Sequence, residues 1–374
     1  MTTNHVEQGR DHRPLVVGVA LSPVWLSADA WRREDSRVEE MFSLSPYREL
    51  AEKAERAVVD FLFCPEAGHL EPSTIRHSPG FATLESFTLV TALAAVTRRI
   101  GLVPTVQTAF ANPFTVARQL ASLHRISGGR ARWNVVTALA GERNHGLTEL
   151  PDSAERHARA DEFITVVEAL WRSFPSEAFV ADRGTGVFAD PDRVQAIDFD
   201  GKYFKVAGPM ALPQHPAGRL PVVQAGASPA GIAFAGARAD LVFGAVPDLD
   251  AARGQRAALR SAAVTAGRDP GAIRFLPGLH LVLAETREQA RRVAEENAGN
   301  RRLHWSVIGT PQDAVQEILR RTEAAALDGF IALPGGWWNS VELFLAEVLP
   351  GLRGQGLIGS EYRGRTFREH LGGE

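Results

Sequence analysis

The chain has 374 residues, of which 45% are hydrophobic and 23% are charged, and this composition is typical of a folded protein with a large core. The 41 basic and 44 acidic side chains give a formal net charge of −3, so the chain lacks the basic excess of a nucleic-acid or anionic-membrane binder. Its single cysteine, Cys64, excludes an internal disulfide and any multi-cysteine metal centre, and we expect no bound metal.

Two features predict the compartment. Residues 1–13 are polar and charged and lack the apolar segment of a secretory signal. No run approaches the roughly 18 uncharged apolar residues of a membrane span. We therefore expect a cytoplasmic protein that binds a small molecule and contacts neither membrane nor nucleic acid.

Short apolar runs alternate with helical patterns along the first half of the chain. Strands are predicted at residues 15–21, 59–64, 100–106 and 131–136. Helices are predicted at 46–58, 84–97 and 112–125, and around the apolar stripe 163–171. The third helix has a clear start, because Asn112 is a good N-cap and Pro113 suits the first helical position. The pattern is typical of repeated β/α units.

The alternation fails between residues 172 and 220, where Pro and Gly accumulate, and we interpret this segment as an insertion. Within it, a hairpin is predicted to pair 196–199 with 202–206 around Asp200-Gly201. Later strands are predicted at 221–225, 241–245, within 273–283 and at 329–333. Later helices are predicted from Ser228, over 249–266, from Thr286, from Thr310 and over 340–352. Thr310, Pro311 and Asp313 form a recognisable helix start.

Eight β/α units favour an α/β fold, a single (β/α)8 TIM barrel over residues 1–374. An open doubly wound sheet is the alternative, but it needs a Gly-x-Gly-x-x-Gly turn after the first strand, which is absent. The excess length lies mainly in the insertion at 172–220 and in a C-terminal tail at 353–374.

The turn after the fifth strand has the features of an anion site. Gly226 permits a tight turn, Ser228 is a good N-cap, and Pro229 occupies the first helical position. Several backbone N–H groups then point to one place at a helix N-terminus, which suits a phosphate. An ordinary capped helix is the plain alternative. A nucleophile elbow at Ser228 is a second, although the sequence departs from Gly-x-Ser-x-Gly.

Polar residues also occur at the ends of strands three and four. Thr105 lies at the end of strand three, Asn134 interrupts strand four, and Thr137 follows it. Barrel enzymes collect their functional groups at strand C-terminal ends. The carboxamide of Asn134 could pair with a heterocycle edge that offers both a donor and an acceptor. A structural asparagine that binds loop backbone is the alternative.

Two further residues follow strand two, and one histidine lies inside strand seven. Glu66 and His69 are candidates for ligand orientation or proton transfer, although a solvated loop is the better explanation for His69. His280 is surrounded in sequence by apolar residues, and we interpret it as a core histidine.

Five segments carry motifs that are recognisable together. They are ISGGRARWNVVTA (126–138), RNHG (143–146), RADEFITVVEALW (159–171), GKYFKVAGPMALPQHPAGRLPVVQAGASPAG (201–231) and EYRGRTFREHLG (361–372). In this order they resemble the flavin-dependent monooxygenases of the bacterial-luciferase superfamily. The most similar branch contains the nitrilotriacetate, EDTA and dibenzothiophene-sulfone monooxygenases and pristinamycin synthase, and Ala-Trp-Arg at 30–32 fits the same branch.

The resemblance implies a barrel that takes reduced FMN from a separate NAD(P)H-dependent flavin reductase. The reduced flavin reacts with O₂, and a flavin peroxide or N5-oxide then oxygenates a small organic substrate. We expect such an enzyme to be a homodimer or a homotetramer.

The resemblance also implies roles for residues at the phosphate end of the cofactor. Ala227 and Ser228, beside Gly226, match positions that contact the FMN phosphate. His157 occupies a position where relatives commonly have a tyrosine that reaches the phosphate.

Other residues match positions around the flavin ring. Asn134 and Thr137 match positions near the isoalloxazine, and Thr105 matches another. Glu66 stands where relatives usually have aspartate. We assign His69 and Thr105 as candidate catalytic residues.

Two departures leave the substrate open. Val24-Trp25-Leu26 is apolar where relatives often have histidines, and the segment 284–309 after strand seven is several dozen residues shorter than in relatives. Two alternatives therefore accompany the monooxygenase hypothesis. One is an F420-dependent hydride-transfer enzyme of the same superfamily, and the other is a flavin-binding protein without turnover.

Overall fold

A computed structural model describes residues 13–73, 75–296, 303–364, 366 and 369 of the chain. Eight parallel strands form a closed barrel, in which each strand pairs with the next and the last pairs with the first. The strands are β1 (Val16–Ala20), β2 (Phe61–Cys64), β3 (Gly101–Gln107), β4 (Trp133–Val136), β5 (Val222–Ala225), β6 (Leu241–Gly244), β7 (Arg274–Leu283) and β8 (Gly329–Pro334). The predicted (β/α)8 TIM barrel is confirmed.

Helices surround this barrel. They are α1 (Ser45–Arg56), α2 (Ser86–Val96), α3 (Pro113–Ile126), α4 (Ser153–Arg172), α5 (Pro229–Arg238), α6 (Leu249–Thr265), α7 (Arg287–Glu296), α8 (Pro311–Glu323), α9 (Asn339–Leu343) and α10 (Leu349–Gly354). A π-helical segment, Phe344–Val348, joins the last two. The predicted start of α3 is confirmed, because the Asn112 side chain accepts the N–H of Thr115 at 3.1 Å. The predicted start of α8 is confirmed by a reciprocal capping box between Thr310 and Asp313.

Alternation along the strands creates two apolar layers. Side chains such as Phe61, Val103 and Ile331 pack together inside the barrel. Side chains such as Trp133 pack outward against the helices, as its contact with Phe163 on α4 shows. Thr105, Asn134 and Val223 are register partners on adjacent strands, so they share the inner face near the C-terminal end of the barrel. This level of the barrel is where polar side chains replace the apolar filling.

The insertion at 172–220 contains two short antiparallel pairs. Phe179–Asp182 pairs with Val187–Ala189, which the sequence did not predict, and Phe199–Asp200 pairs with Lys205–Val206. The second pair lies where the hairpin was predicted, but the predicted two-residue turn at Asp200-Gly201 is wrong. The loop spans residues 201–204, because the Glu162 carboxylate of α4 accepts the backbone N–H groups of Lys202, Tyr203 and Phe204 at 2.8–3.1 Å.

One more strand of the barrel sheet, Trp305–Gly309, was not predicted from the sequence. It pairs with the C-terminal half of β7, at Leu279–Leu283, whereas β6 pairs with the N-terminal half, at Arg274–Pro277. β7 therefore extends beyond the end of its neighbour and needs another strand to satisfy its backbone. This strand and α7 both lie within the segment 284–309.

Some predictions fall outside the described residues. They include most of the polar N-terminal stretch 1–13, part of the segment 284–309 and much of the motif at 361–372. In the part of the chain that the structure describes, none of the helices has the length and apolar character needed to cross a bilayer.

Candidate functional site

Two neighbouring cavities open at the C-terminal end of the barrel. The first has a volume of about 360 Å³ and lies over β2 to β6, and the second has a volume of about 420 Å³ and lies over β1, β2 and β6 to β8. Phe63, Pro65, Phe81 and Phe243 line both. The Phe63 and Phe243 rings are 5.5 Å apart, so an aromatic pair separates two parts of one crevice.

Most residues singled out from the sequence meet at the first cavity. Its lining includes Glu66, His69, Thr105, Asn134, Thr137, Gly226 and Ala227. Ser228 and His157 are not part of this lining. Ser228 is the N-cap of α5, and His157, on α4, lies beside the first turn of that helix. The sequence therefore predicted a set of residues that the barrel brings to one end of the fold.

A hydrogen-bond chain fixes the orientation of Asn134. The Thr105 hydroxyl donates its only proton to the carbonyl oxygen of Cys64 at 2.7 Å. Its oxygen is therefore an acceptor toward Asn134, whose Nδ2 lies 3.0 Å away. The carboxamide must present its NH₂ group to Thr105 and its Oδ1 elsewhere. Asn134 is only 2% exposed, and Oδ1 is buried without a hydrogen-bond partner among the described residues.

This geometry refines the role expected for Asn134. An unpaired buried carbonyl oxygen costs about 1–3 kcal/mol unless a ligand donates to it. The unpaired atom of Asn134 is therefore an acceptor, which fits a ring N–H such as a flavin carries, and one N–H of its NH₂ group is not used by Thr105. Thr105 has no proton to spare in this arrangement, and its hydroxyl positions Asn134.

The turn after β5 has the geometry of an anion cradle. Gly226 has a backbone φ of +148°, a value that residues other than glycine rarely adopt. The Ser228 hydroxyl caps α5 by accepting the N–H of Gly231 at 3.1 Å. Among the described residues, no hydrogen bond engages the backbone N–H groups of Ala227, Ser228 or Ala230. Ala227 and Ser228 are also exposed, so a phosphate can reach these donors.

The elbow alternative for Ser228 has no geometric support. A nucleophilic serine needs a hydrogen bond to a general base such as histidine. Within the described part of the chain, the hydrogen bond of the Ser228 hydroxyl is the cap itself. The turn therefore offers unengaged N–H donors that suit an anion, and its hydroxyl serves the helix cap.

His157 of α4 stands beside the same turn. Its Nδ1 lies 2.6 Å from the carbonyl oxygen of Ser153, and since a carbonyl only accepts, Nδ1 carries a proton. Its ring packs against Phe234 at 5.7 Å, and Nε2 lies 3.5 Å from where a Cβ on Gly231 would be. With its proton on Nδ1, the neutral ring directs a bare Nε2 toward the first turn of α5, and Nε2 donates there only after it binds a second proton.

We expect replacement of His157 by leucine to weaken FMN binding by about tenfold, because the hydrogen bond between Nε2 and the phosphate, which needs a proton on one of the two groups, is lost. Riboflavin, which has no phosphate, should bind equally to both proteins. Fluorescence titration of each flavin measures the difference. Equal FMN affinities for the two proteins would exclude a phosphate contact.

Glu66 and His69 differ in their surroundings. The Glu66 carboxylate accepts the N–H of Ser86 at 3.2 Å, and burial raises the pKa of this carboxyl above its usual range. It is thus a fixed group that keeps a proton more readily than a surface glutamate. His69 is exposed and lies at the mouth of the first cavity.

Several polar side chains at the site were not assigned to it from the sequence, among them those of Gln224, His280 and His304. Gln224 on β5 is 2% exposed, and its Nε2 would lie 2.9 Å from a Cβ on Gly226. His280, interpreted from the sequence as a core histidine, is half-buried and lines the second cavity. His304 lines the same cavity, and no periodicity or motif marked it because it lies in a segment interpreted as an insertion.

Comparisons with known proteins agree with this geometry. The sequence profile of the luciferase-like monooxygenase family matches residues 24–361. The chain is 29% identical to N-acetyl-S-(2-succino)cysteine monooxygenase of Bacillus subtilis, over 96% of this chain and 97% of the relative. It is 30% identical to dibenzothiophene-sulfone monooxygenase of Rhodococcus erythropolis, over 92% of each chain. The alignment with the Bacillus protein has 433 positions, more than the 374 residues of this chain, so that relative carries residues that are absent here.

A solved structure extends the similarity to the whole fold. Riboflavin lyase, crystallised with a modified FMN and riboflavin, superposes with a TM-score of 0.88 at 26% identity and 96% coverage of both chains. The family profile covers far more than half of the chain, and the resemblance inferred from the motifs is confirmed. This chain therefore belongs to the luciferase-like monooxygenase family and is a flavin-dependent oxidoreductase of the monooxygenase class.

Proposed function

We propose that this chain is the oxygenating component of a two-component monooxygenase, which binds reduced FMN and uses O₂ to oxygenate a small organic substrate. The observation that carries the proposal is a matched pair of ligand-binding features on neighbouring strands. Asn134 presents an unpaired acceptor on β4, and the Gly226 turn presents free donors beyond β5. Val223 is the register partner of Asn134, so the turn lies three residues, roughly 10 Å, farther along.

The residues between these features suit a flavin. The first cavity is mainly apolar, with Phe63, Val136 and Phe243 among its walls. A bound reduced flavin would supply the electrons that activate O₂. The part of this chain is to accept a ring N–H at Asn134, to hold the phosphate at α5, and to keep bulk water away from the ring. Glu66 and His69 are the ionisable groups placed to hold or move a proton at the mouth.

The remaining parts of the proposal rest on the family resemblance. A separate NAD(P)H-dependent flavin reductase supplies the reduced cofactor, either by transient contact or by diffusion. The enzyme works in the cytoplasm as a homodimer or a homotetramer. The residues proposed to hold FMN are Glu66, Thr105, Asn134, Thr137, His157, Gly226, Ala227 and Ser228, and no metal takes part.

Anaerobic titration tests the cofactor, and rapid mixing with O₂ tests the chemistry. We expect reduced FMN to bind more tightly than oxidised FMN. After the complex is mixed with O₂, the absorbance of oxidised flavin should return more slowly than with free reduced FMN. Return at the free-solution rate would contradict the monooxygenase mechanism. Binding of reduced F420 without binding of FMN would instead support the hydride-transfer alternative.

Replacing Asn134 by leucine should weaken binding of reduced FMN by about tenfold, because the acceptor for the ring N–H is removed while the branched shape of the side chain is kept. Calorimetric titration under anaerobic conditions measures the change. Asn339→Leu is the matched control, since Asn339 begins α9 and lines neither cavity. Unchanged affinity in Asn134→Leu would remove Asn134 from the cofactor site.

A further inference from the structure

The second cavity has a lining suited to an uncharged molecule. Among the described residues that line it, the polar ones are Ser22, Ser27, His280 and His304, and all others are apolar. None of these described residues is a lysine, arginine, aspartate or glutamate. A carboxylate buried here would have no lysine or arginine partner among these described residues, and an uncompensated buried charge costs several kcal/mol. A volume of about 420 Å³ is within the range of small-molecule sites.

The mouth of the crevice is apolar as well. Phe81 is 59% exposed and lines both cavities, and Leu303 is 56% exposed and lines the second. Leu139, at the mouth of the first cavity, is 93% exposed. Exposed apolar side chains from three separate loops thus surround the entrance, as expected for a site that admits apolar ligands.

His304 adds one specific donor to this apolar space. Its Nδ1 is buried without a hydrogen-bond partner among the described residues, because the ring lies against β7, with Nδ1 2.6 Å from where a Cβ on Gly278 would be. Burial lowers the pKa of His304, so the ring is neutral and has a single N–H. A buried N–H without an acceptor is more costly than a bare ring nitrogen, so the proton resides on Nε2, which stays accessible from the cavity.

We propose that the second cavity is the substrate site and that it selects an uncharged, mainly apolar molecule with an acceptor oxygen, to which His304 donates from Nε2. The inference rests on the proposed function, since it places the substrate next to the flavin, in the adjoining cavity that shares Phe63 and Phe243 with the first. The His304 ring also packs against Phe243 at 5.6 Å, so the bound oxygen lies next to this shared wall.

Three probes test the selectivity by calorimetry on the whole protein, with and without saturating FMN. Dibenzothiophene sulfone is neutral and has two acceptor oxygens, dibenzothiophene lacks those oxygens, and nitrilotriacetate is a polycarboxylate. We expect the sulfone to bind at least tenfold more tightly than dibenzothiophene, and we expect no saturable binding of nitrilotriacetate. Binding of nitrilotriacetate as tight as that of the sulfone would overturn the proposal, and this test needs no variant protein.

The variant His304→Phe keeps a ring in the cavity but removes the donor. We expect it to bind the sulfone no better than dibenzothiophene, while its FMN affinity stays within about twofold of wild type. His77→Phe is the control, because His77 is exposed and lines neither cavity. A tenfold preference for the sulfone that survives in His304→Phe would refute the role of His304. Failure of FMN to bind refutes the proposed function, whereas FMN binding without sulfone binding refutes this inference alone.

Discussion

Replacing Ser228 by aspartate should lower the affinity for FMN at least 100-fold and leave the fold intact. Aspartate caps helices as well as serine does, so the N–H of Gly231 keeps an acceptor and α5 keeps its start. The new carboxylate, however, stands where the phosphate would bind. Two negative unit charges about 4 Å apart repel each other by about 4 kcal/mol near a protein surface. Each 1.4 kcal/mol corresponds to a tenfold loss of affinity.

The comparison of FMN with riboflavin makes this result specific. Riboflavin has no phosphate, so its affinity should change by less than about threefold, and the preference of wild type for FMN should disappear. Asn112→Asp is the matched control, since it adds the same charge at the N-cap of α3, away from both cavities. If Ser228→Asp binds FMN as wild type does, the phosphate does not bind at this turn and the proposed cofactor geometry fails.

The features that sequence analysis predicted best depend on residues close together in the chain. An N-cap joins positions three residues apart, so the starts of α3, α5 and α8 could be predicted from Asn112, Ser228 and Thr310 alone. The barrel itself follows from repeated β/α units. The end of the barrel at which the polar residues meet follows from its parallel strands.

The features that were missed depend on contacts between distant residues. Glu162 determines the loop at 201–204 from about forty positions away, and no local pattern reports such a contact. The orientation of Asn134 depends on Thr105, whose proton goes to the carbonyl oxygen of Cys64, 41 residues earlier. His304 reaches the second cavity only because the strand Trp305–Gly309 pairs with the C-terminal half of β7. Sequence analysis could therefore propose which residues meet, but not which atoms they present.

Replacing Arg130 by methionine should destabilise the protein by about 3 kcal/mol or more, the largest stability effect we expect from a single change outside the site. Arg130 is 2% exposed, and its guanidinium donates to five oxygens at 2.7–3.2 Å, one on a side chain and four on the backbone. Three of these acceptors, on Ala94, Thr97 and Ser127, lie at the C-terminal ends of α2 and α3. Methionine fills the space but leaves these buried carbonyls without donors.

The helix ends also explain how Arg130 keeps its charge. Burial lowers the pKa of the guanidinium, but the nearby carboxylate of Glu55 and the negative ends of two helix dipoles favour its charged form. Arg130→Lys should recover only part of the stability, because an ammonium has three donors and cannot reproduce the planar fork. The exposed neighbour Arg98 is the control, and Arg98→Met should change the unfolding free energy by less than about 0.5 kcal/mol. Urea unfolding measures all three variants, and an Arg130→Met midpoint equal to that of Arg98→Met would show that the five hydrogen bonds contribute no net stability.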